Sequence, residues 1–137
     1  MKATPMIWTG RVLTGLVTLF MLGASIAPKF LGMPIADETM QQLGWPPGYV
    51  FTIGVIEFVC LALYLYPRTN VLGAVLFTAL LGGAMATHIR AGSPLFSHIL
   101  FGVYLGVFVW GGLWLRDPAV RRLFPWRRDA NQSATSA

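Results

Sequence analysis

Charge is what this sequence has least of. Only 11% of its 137 residues are Asp, Glu, Lys or Arg, where an ordinary soluble domain carries about 25%. With 55% of residues hydrophobic, there is too little polar surface to keep a folded chain in water, so lipid must cover the surplus. Cysteine is nearly absent as well. Cys60 is the only one and lies in an apolar run, which excludes an intramolecular disulfide, a CxxC pair and a multi-cysteine metal site. It reads as a small buried hydrophobe. The two histidines and Glu57 match no metal-ligand spacing, so no metal is expected. The chain is also too short for two domains, and every feature belongs to one packed unit.

The net charge of +5 does not point to nucleic acid. Half of the ten Lys and Arg residues are Arg116, Arg121, Arg122, Arg127 and Arg128, directly after the last apolar run. A basic flank there orients a membrane protein and meets anionic lipid heads. The expected partner is the lipid bilayer, not a nucleic acid.

Four apolar stretches are present, at about 6–27, 48–66, 70–87 and 95–115. Each is near the roughly 20 residues that cross a 30 Å hydrocarbon core. Helix breakers fall between them: Pro28, Pro34, Pro46 and Pro47, then Pro67, then Gly92 and Pro94. The second and third connections are therefore tight. The first has room for a short helix over 36–43, with Asp37 and Glu38 in its first turn and Gly44 placed to end it. A signal peptide competes for the first stretch, because Ser25-Ile26-Ala27 resembles a cleavage site, but Pro28 just after the cut disfavours cleavage and the segment is expected to be retained. Lys2, Arg11, Arg68 and the five C-terminal arginines fall on one side, against Lys29 and Arg90 on the other. That bias places both termini in the cytoplasm. The fold expected is an all-α membrane protein: a four-helix transmembrane bundle over 1–116, then a basic, largely disordered cytoplasmic tail over 117–137, with 130–137 polar and unanchored.

Glu57 sits at the midpoint of the second stretch, near the bilayer centre, where a carboxylate is costly and faces the bundle interior in search of a partner. Its helix rises about 1.5 Å per residue, which puts Glu57 on the order of 13 Å below the outer end. Lys29, His88, Arg90 and His98 all gather at that end, with His98 deeper than the others. The pattern suggests an outward-opening polar cavity lined by Lys29, Glu57, His88 and His98. Against this stand the plainer readings: a structural hydrogen bond at Glu57, and Lys29 and Arg90 snorkelling to head groups. Gly102 and Gly106 form a GxxxG on the fourth stretch, and Gly82 and Ala86 repeat that spacing on the third. Such faces let helix backbones approach. They are read as packing within the bundle ahead of pairing in a homodimer. Trp8, Trp45, Trp110, Trp114 and Trp126 lie near the expected interfaces and read as anchors.

The order of these features resembles a known family. Pro28-Lys29 closes the first helix, Leu43-Gly44-Trp45-Pro46 precedes the helix of Glu57, and Pro67-Arg68 precedes Leu72-Gly73-Ala74. Gly83-Ala84, His88 and Gly92 follow. The run is similar to the DoxX-like family of small four-helix membrane proteins over about residues 8–115. The resemblance implies a bacterial-type inner-membrane bundle. It also implies association with redox systems, since founding members are linked to thiosulfate:quinone oxidoreduction as a membrane subunit and some relatives to membrane oxidoreductase assemblies or oxidative stress. This chain has no cysteine pair for thiol exchange and no pair of facing histidines for a haem.

Three functions are open on this footing. The first is a non-catalytic membrane subunit or anchor for an oxidoreductase partner, with a quinone near Glu57. The second is a small transporter or binding protein for a lipophilic molecule, in which Glu57 titrates. The third, an enzyme using Glu57 as acid or base, ranks last because no nucleophile with a paired base is visible, and no residue is assigned as catalytic.

Overall fold

The computed structural model describes residues 4–127. Among them every regular element is helical, and there is no strand. Six helices follow in chain order: α1 (Pro5–Phe30), α2 (Pro34–Gln42), α3 (Val50–Leu65), α4 (Asn70–Arg90), α5 (Leu95–Arg116) and α6 (Pro118–Leu123). Lys2, Arg128 and the 130–137 tail lie outside the described residues.

Three of these helices, α1, α4 and α5, are long and apolar enough to cross a membrane, with mean hydropathy of 1.6 to 1.7. The fourth apolar helix, α3, has 16 residues, a rise of about 24 Å. Apolar side chains cover the outside as well as the inside: Leu19 is 71% exposed and Val107 65%. An aqueous surface of that kind is unstable, and hydrocarbon removes the cost.

α1 starts where the sequence dictates. Thr4 caps it by accepting from the Ile7 amide at 3.3 Å, and Pro5 opens its first turn, where a missing N–H costs nothing. It does not end at Pro28, as expected, but runs on to Phe30. Residues Met21–Ile26 are wound as a π-helix, and the Ala27 amide bonds to Leu22 five residues back. A proline ring collides with the carbonyl four residues earlier in a regular helix. The wider π turn just ahead of Pro28 relieves that collision, so the proline is absorbed and does not break the helix. Pro34 is likewise no breaker: it opens α2, which begins two residues before the expected helix. Gly44 ends α2 as expected, in a left-handed conformation (φ 80°), with the Trp45 amide bonded to the Met40 carbonyl at 3.0 Å.

The helices close a ring. The Pro5–Phe20 part of α1 packs along α5, α5 on α4, α4 on α3, and the last third of α1 returns to α3. The N-terminus of α1 meets the C-terminus of α5, where Gly10 faces the Gly112 carbonyl, so both ends of the described chain share one end of the bundle. The core between the helices comprises Val17, Met21, Ile26, Cys60, Leu61, Tyr64, Ala74, Phe77, Val109 and Leu113, and it reaches Val120 on α6.

α6 lies within the stretch read as a largely disordered tail, and its order has visible causes. Asp117 caps it by accepting from the Ala119 amide, and Arg121 donates at 2.8 Å to the Trp114 and Leu115 carbonyls left open at the end of α5. Trp114 Nε1 donates to the Phe124 carbonyl, and Trp110 stacks on the Phe124 ring. Trp110 and Trp114 thus fasten this segment.

The small-residue faces sit differently from the expectation. Gly102 does face α4, where an added Cβ would meet Met85 and the Leu81 carbonyl, but Gly106 and Gly82 have open space at that position. Ala86 is exposed. The close approaches are made by Gly10 and Gly112 between α1 and α5, and by Gly73 against the backbone of Leu63 and Tyr64 between α4 and α3.

Candidate functional site

Glu57 is only 7% exposed and lies midway along α3 on its inner face. α1 supplies its partners. Lys29 Nζ is 3.1 Å from Glu57 Oε1 and 3.2 Å from Oε2. Ser25 Oγ donates to the same two oxygens at 3.1 and 3.0 Å. Lys29 also donates to the Ser25 hydroxyl at 2.8 Å and to its carbonyl at 3.1 Å. Ser25 belongs to the π-wound stretch, and Lys29 follows one turn later beyond Pro28, so the absorbed proline brings both onto the face that meets α3. The sequence places Lys29 and Glu57 together; Ser25, which in the sequence reads as part of a cleavage-like triplet, joins them only in the fold. Its one signal was its place four residues before Lys29, on the same helix face.

A charge pair this deep is held by geometry. The two side chains are 14% and 10% exposed. Desolvating both ions is offset by their mutual attraction and by added hydrogen bonds, to which Ser25 contributes one proton for Glu57 and two acceptors for Lys29. Its contact with Lys29 is not a Ser–Lys catalytic pair: an ammonium donating to a carboxylate has no lone pair with which to take the serine proton.

The triad forms one wall of a cavity of about 760 Å³ between α1, α3, α4 and α5, at the end of the bundle away from the termini. All four residues read from the sequence as a cavity, Lys29, Glu57, His88 and His98, line it. The histidines do not reach Glu57. Their rings meet edge to face, centroids 5.6 Å apart, and each Nδ1 bonds to a neighbouring serine, Ser93 for His88 and Ser97 for His98. His98, on the π-wound first turn of α5, is exposed and His88 half-buried, so His98 is not the more deeply buried of the two. Most of the remaining lining is apolar, with Phe20, Met21, Ile53, Ile56, Phe101 and Leu105 among it, and Thr39, Thr87 and Trp45 are its other polar-group carriers. α2 lies across the cavity through Ile35, Ala36, Thr39, Met40 and Leu43. Arg90 does not snorkel freely: its Nη2 donates to the Leu43 carbonyl at 2.9 Å and ties α2 to the end of α4. Among the described residues, no three of His, Cys, Asp or Glu come together as a metal site.

A model of the DoxX-like family matches residues 12–112. The chain belongs to the DoxX-like family. The match runs from the third turn of α1 to one turn short of the end of α5, and so includes Ser25, Lys29, Glu57, both histidines and the whole cavity of this DoxX-like protein. No curated protein and no solved structure matches the chain.

A second polar cluster, which nothing in the sequence spacing announced, lies at the opposite end. Tyr64, fully buried, donates to the Val109 carbonyl at 2.6 Å and lies 3.2 Å from Thr14 Oγ1. Arg116 Nε donates to the same threonine at 3.2 Å, with its guanidinium 5.6 Å from the Tyr64 ring centre. Arg116 is therefore more than a flanking charge. This knot joins α1, α3 and α5 where the chain ends meet.

Proposed function

We propose that this DoxX-like protein crosses a bacterial-type inner membrane four times, with both termini in the cytoplasm, and holds a lipophilic small molecule in the cavity under α2. One observation carries the reading. A cavity of about 760 Å³, within the roughly 300–1,000 Å³ of small-molecule sites, joins an apolar lining to a single charged cluster in the bilayer's interior. Intramembrane ionisable residues gather where something polar must be held. The excess of Lys and Arg at the terminal end supports the orientation. Tyr49 and Tyr66 flank the short helix α3, where aromatic rings suit the membrane interface.

The redox association implied by the family resemblance favours a quinone-class ligand and the role of membrane subunit to an oxidoreductase. The Glu57 wall then serves as the polar end of a binding site, not as a catalytic centre. Native mass spectrometry from mild detergent tests this, with a decyl-substituted benzoquinone and its hydroquinone as probes. The expected result is one saturable adduct per chain for at least one of them, lost in Ala84→Phe, which fills the cavity. Unsaturable uptake that is equal in both proteins refutes the reading.

A further inference from the structure

The polar wall has no hydrogen-bond donor to spare. Lys29 has three N–H protons and four acceptors within reach: both Glu57 oxygens, the Ser25 hydroxyl oxygen and the Ser25 carbonyl. Ser25 has one proton, and it lies between the two carboxylate oxygens. Acceptor capacity is left over. A carboxylate offers about four lone-pair sites, and only these two α1 side chains donate to Glu57. Among the described residues, no donor reaches it from α4 or α5, although Glu57 lines the cavity they enclose.

Resting on the reading of this cavity as a binding site, we infer that it selects ligands whose polar end is a neutral hydroxyl, a phenol, hydroquinol or alcohol, which donates to Glu57. A buried carboxylate with unfilled lone pairs gains most from a donor. A quinone carbonyl, ester or ether brings only lone pairs and finds no spare proton at Glu57, Lys29 or Ser25; the other N–H donors of the lining, on Trp45, His88 and His98, stand apart from this wall. An ammonium head gains little, because the Lys29 charge 3.1 Å away already offsets that of Glu57. Of a quinone couple, the site therefore holds the reduced form more tightly.

The test uses two probes that differ by one proton donor and do not change redox state: 4-nonylphenol and its methyl ether. Binding to the full chain in nanodiscs is compared with Ala84→Phe nanodiscs, which report partition into lipid alone. The phenol is expected to bind at least about tenfold more tightly than the ether, the ratio for one neutral donor on a charged acceptor. Glu57→Gln provides an amide N–H, so the ether gains and the ratio falls towards one. The phenol-to-ether ratio of the unsubstituted protein, read against the Ala84→Phe nanodiscs, maintains the test if Glu57→Gln fails to fold. Equal binding of both probes to the unsubstituted protein overturns the hydroxyl selectivity while leaving a binding cavity intact. Binding of neither probe overturns the cavity reading and this inference with it.

Discussion

Gly73→Ala is the substitution for which the structure makes the sharpest demand. Added to a helix in open space, one methyl group is favourable, because alanine exceeds glycine in helix propensity by about 1 kcal/mol. At Gly73 there is no open space. The new Cβ would overlap the Tyr64 amide nitrogen and Cα, and would stand 2.7 Å from the Leu63 carbonyl carbon. All three are backbone atoms of α3, so no rotamer change makes room, and α3 and α4 must separate. Overpacking costs roughly 1–3 kcal/mol where side chains can yield. Rigid backbone puts the cost at the upper end, about 3 kcal/mol, which leaves about 2 kcal/mol of net loss after the propensity gain. The readout is the midpoint of thermal aggregation in detergent, followed by size-exclusion chromatography. It should fall by on the order of 5 °C or more, while Gly106→Ala, with nothing near its Cβ, should leave it unchanged or slightly raised. An unchanged midpoint for Gly73→Ala, or an equal fall for Gly106→Ala, refutes the reasoning.

Tyr64→Phe removes the donor to the Val109 carbonyl and the contact with Thr14. Hydrogen bonds between membrane helices average about 0.6 kcal/mol and reach about 1.7, so the same assay should show a smaller loss than Gly73→Ala. Lys29→Met and Glu57→Gln should each lower the midpoint, because each leaves an unpaired group in a buried site, while the double variant should recover part of the loss. Strictly additive losses would show that the pair is not coupled. For topology, a cysteine at Ser136 in a Cys60→Ala background should resist an impermeant thiol reagent applied to intact cells, while one at Gln42 should react. The opposite labelling pattern would reverse the proposed orientation.

Much of this fold was legible because hydropathy is a sum over many residues, and no single proline or glycine can hide a long apolar run. The ends of the runs were less legible. Pro28 reads as a stop in any one-dimensional scan, and only the π winding of the preceding turn, a property of the three-dimensional backbone, lets the helix pass through it. The charged residues of the site announced themselves, since Lys29 and Glu57 are conspicuous in apolar surroundings. Ser25 and Tyr64 did not, because a hydroxyl in a membrane helix has no spacing signature and satisfies itself on a neighbouring carbonyl as easily as on a partner helix. The glycines failed for a related reason. GxxxG marks a face that permits close approach, but which face meets a neighbour is decided by the whole ring of helices. Here Gly102 of the expected motif does meet α4, but the tightest backbone approaches fall to the lone Gly73 and the Gly10–Gly112 pair, which share no motif.

The knot of Thr14, Tyr64 and Arg116 has a consequence for traffic through the molecule. It ties α1, α3 and α5 together below the cavity, with Tyr64 wholly excluded from solvent, so a guest that slips in beside α2 meets a floor. Passage to the other face of the membrane would require three side chains on three helices to let go together, each giving up hydrogen bonds that lipid cannot replace. On the proposed binding reading, a guest would enter and leave at the α2 end, past the bond from Arg90 to the Leu43 carbonyl.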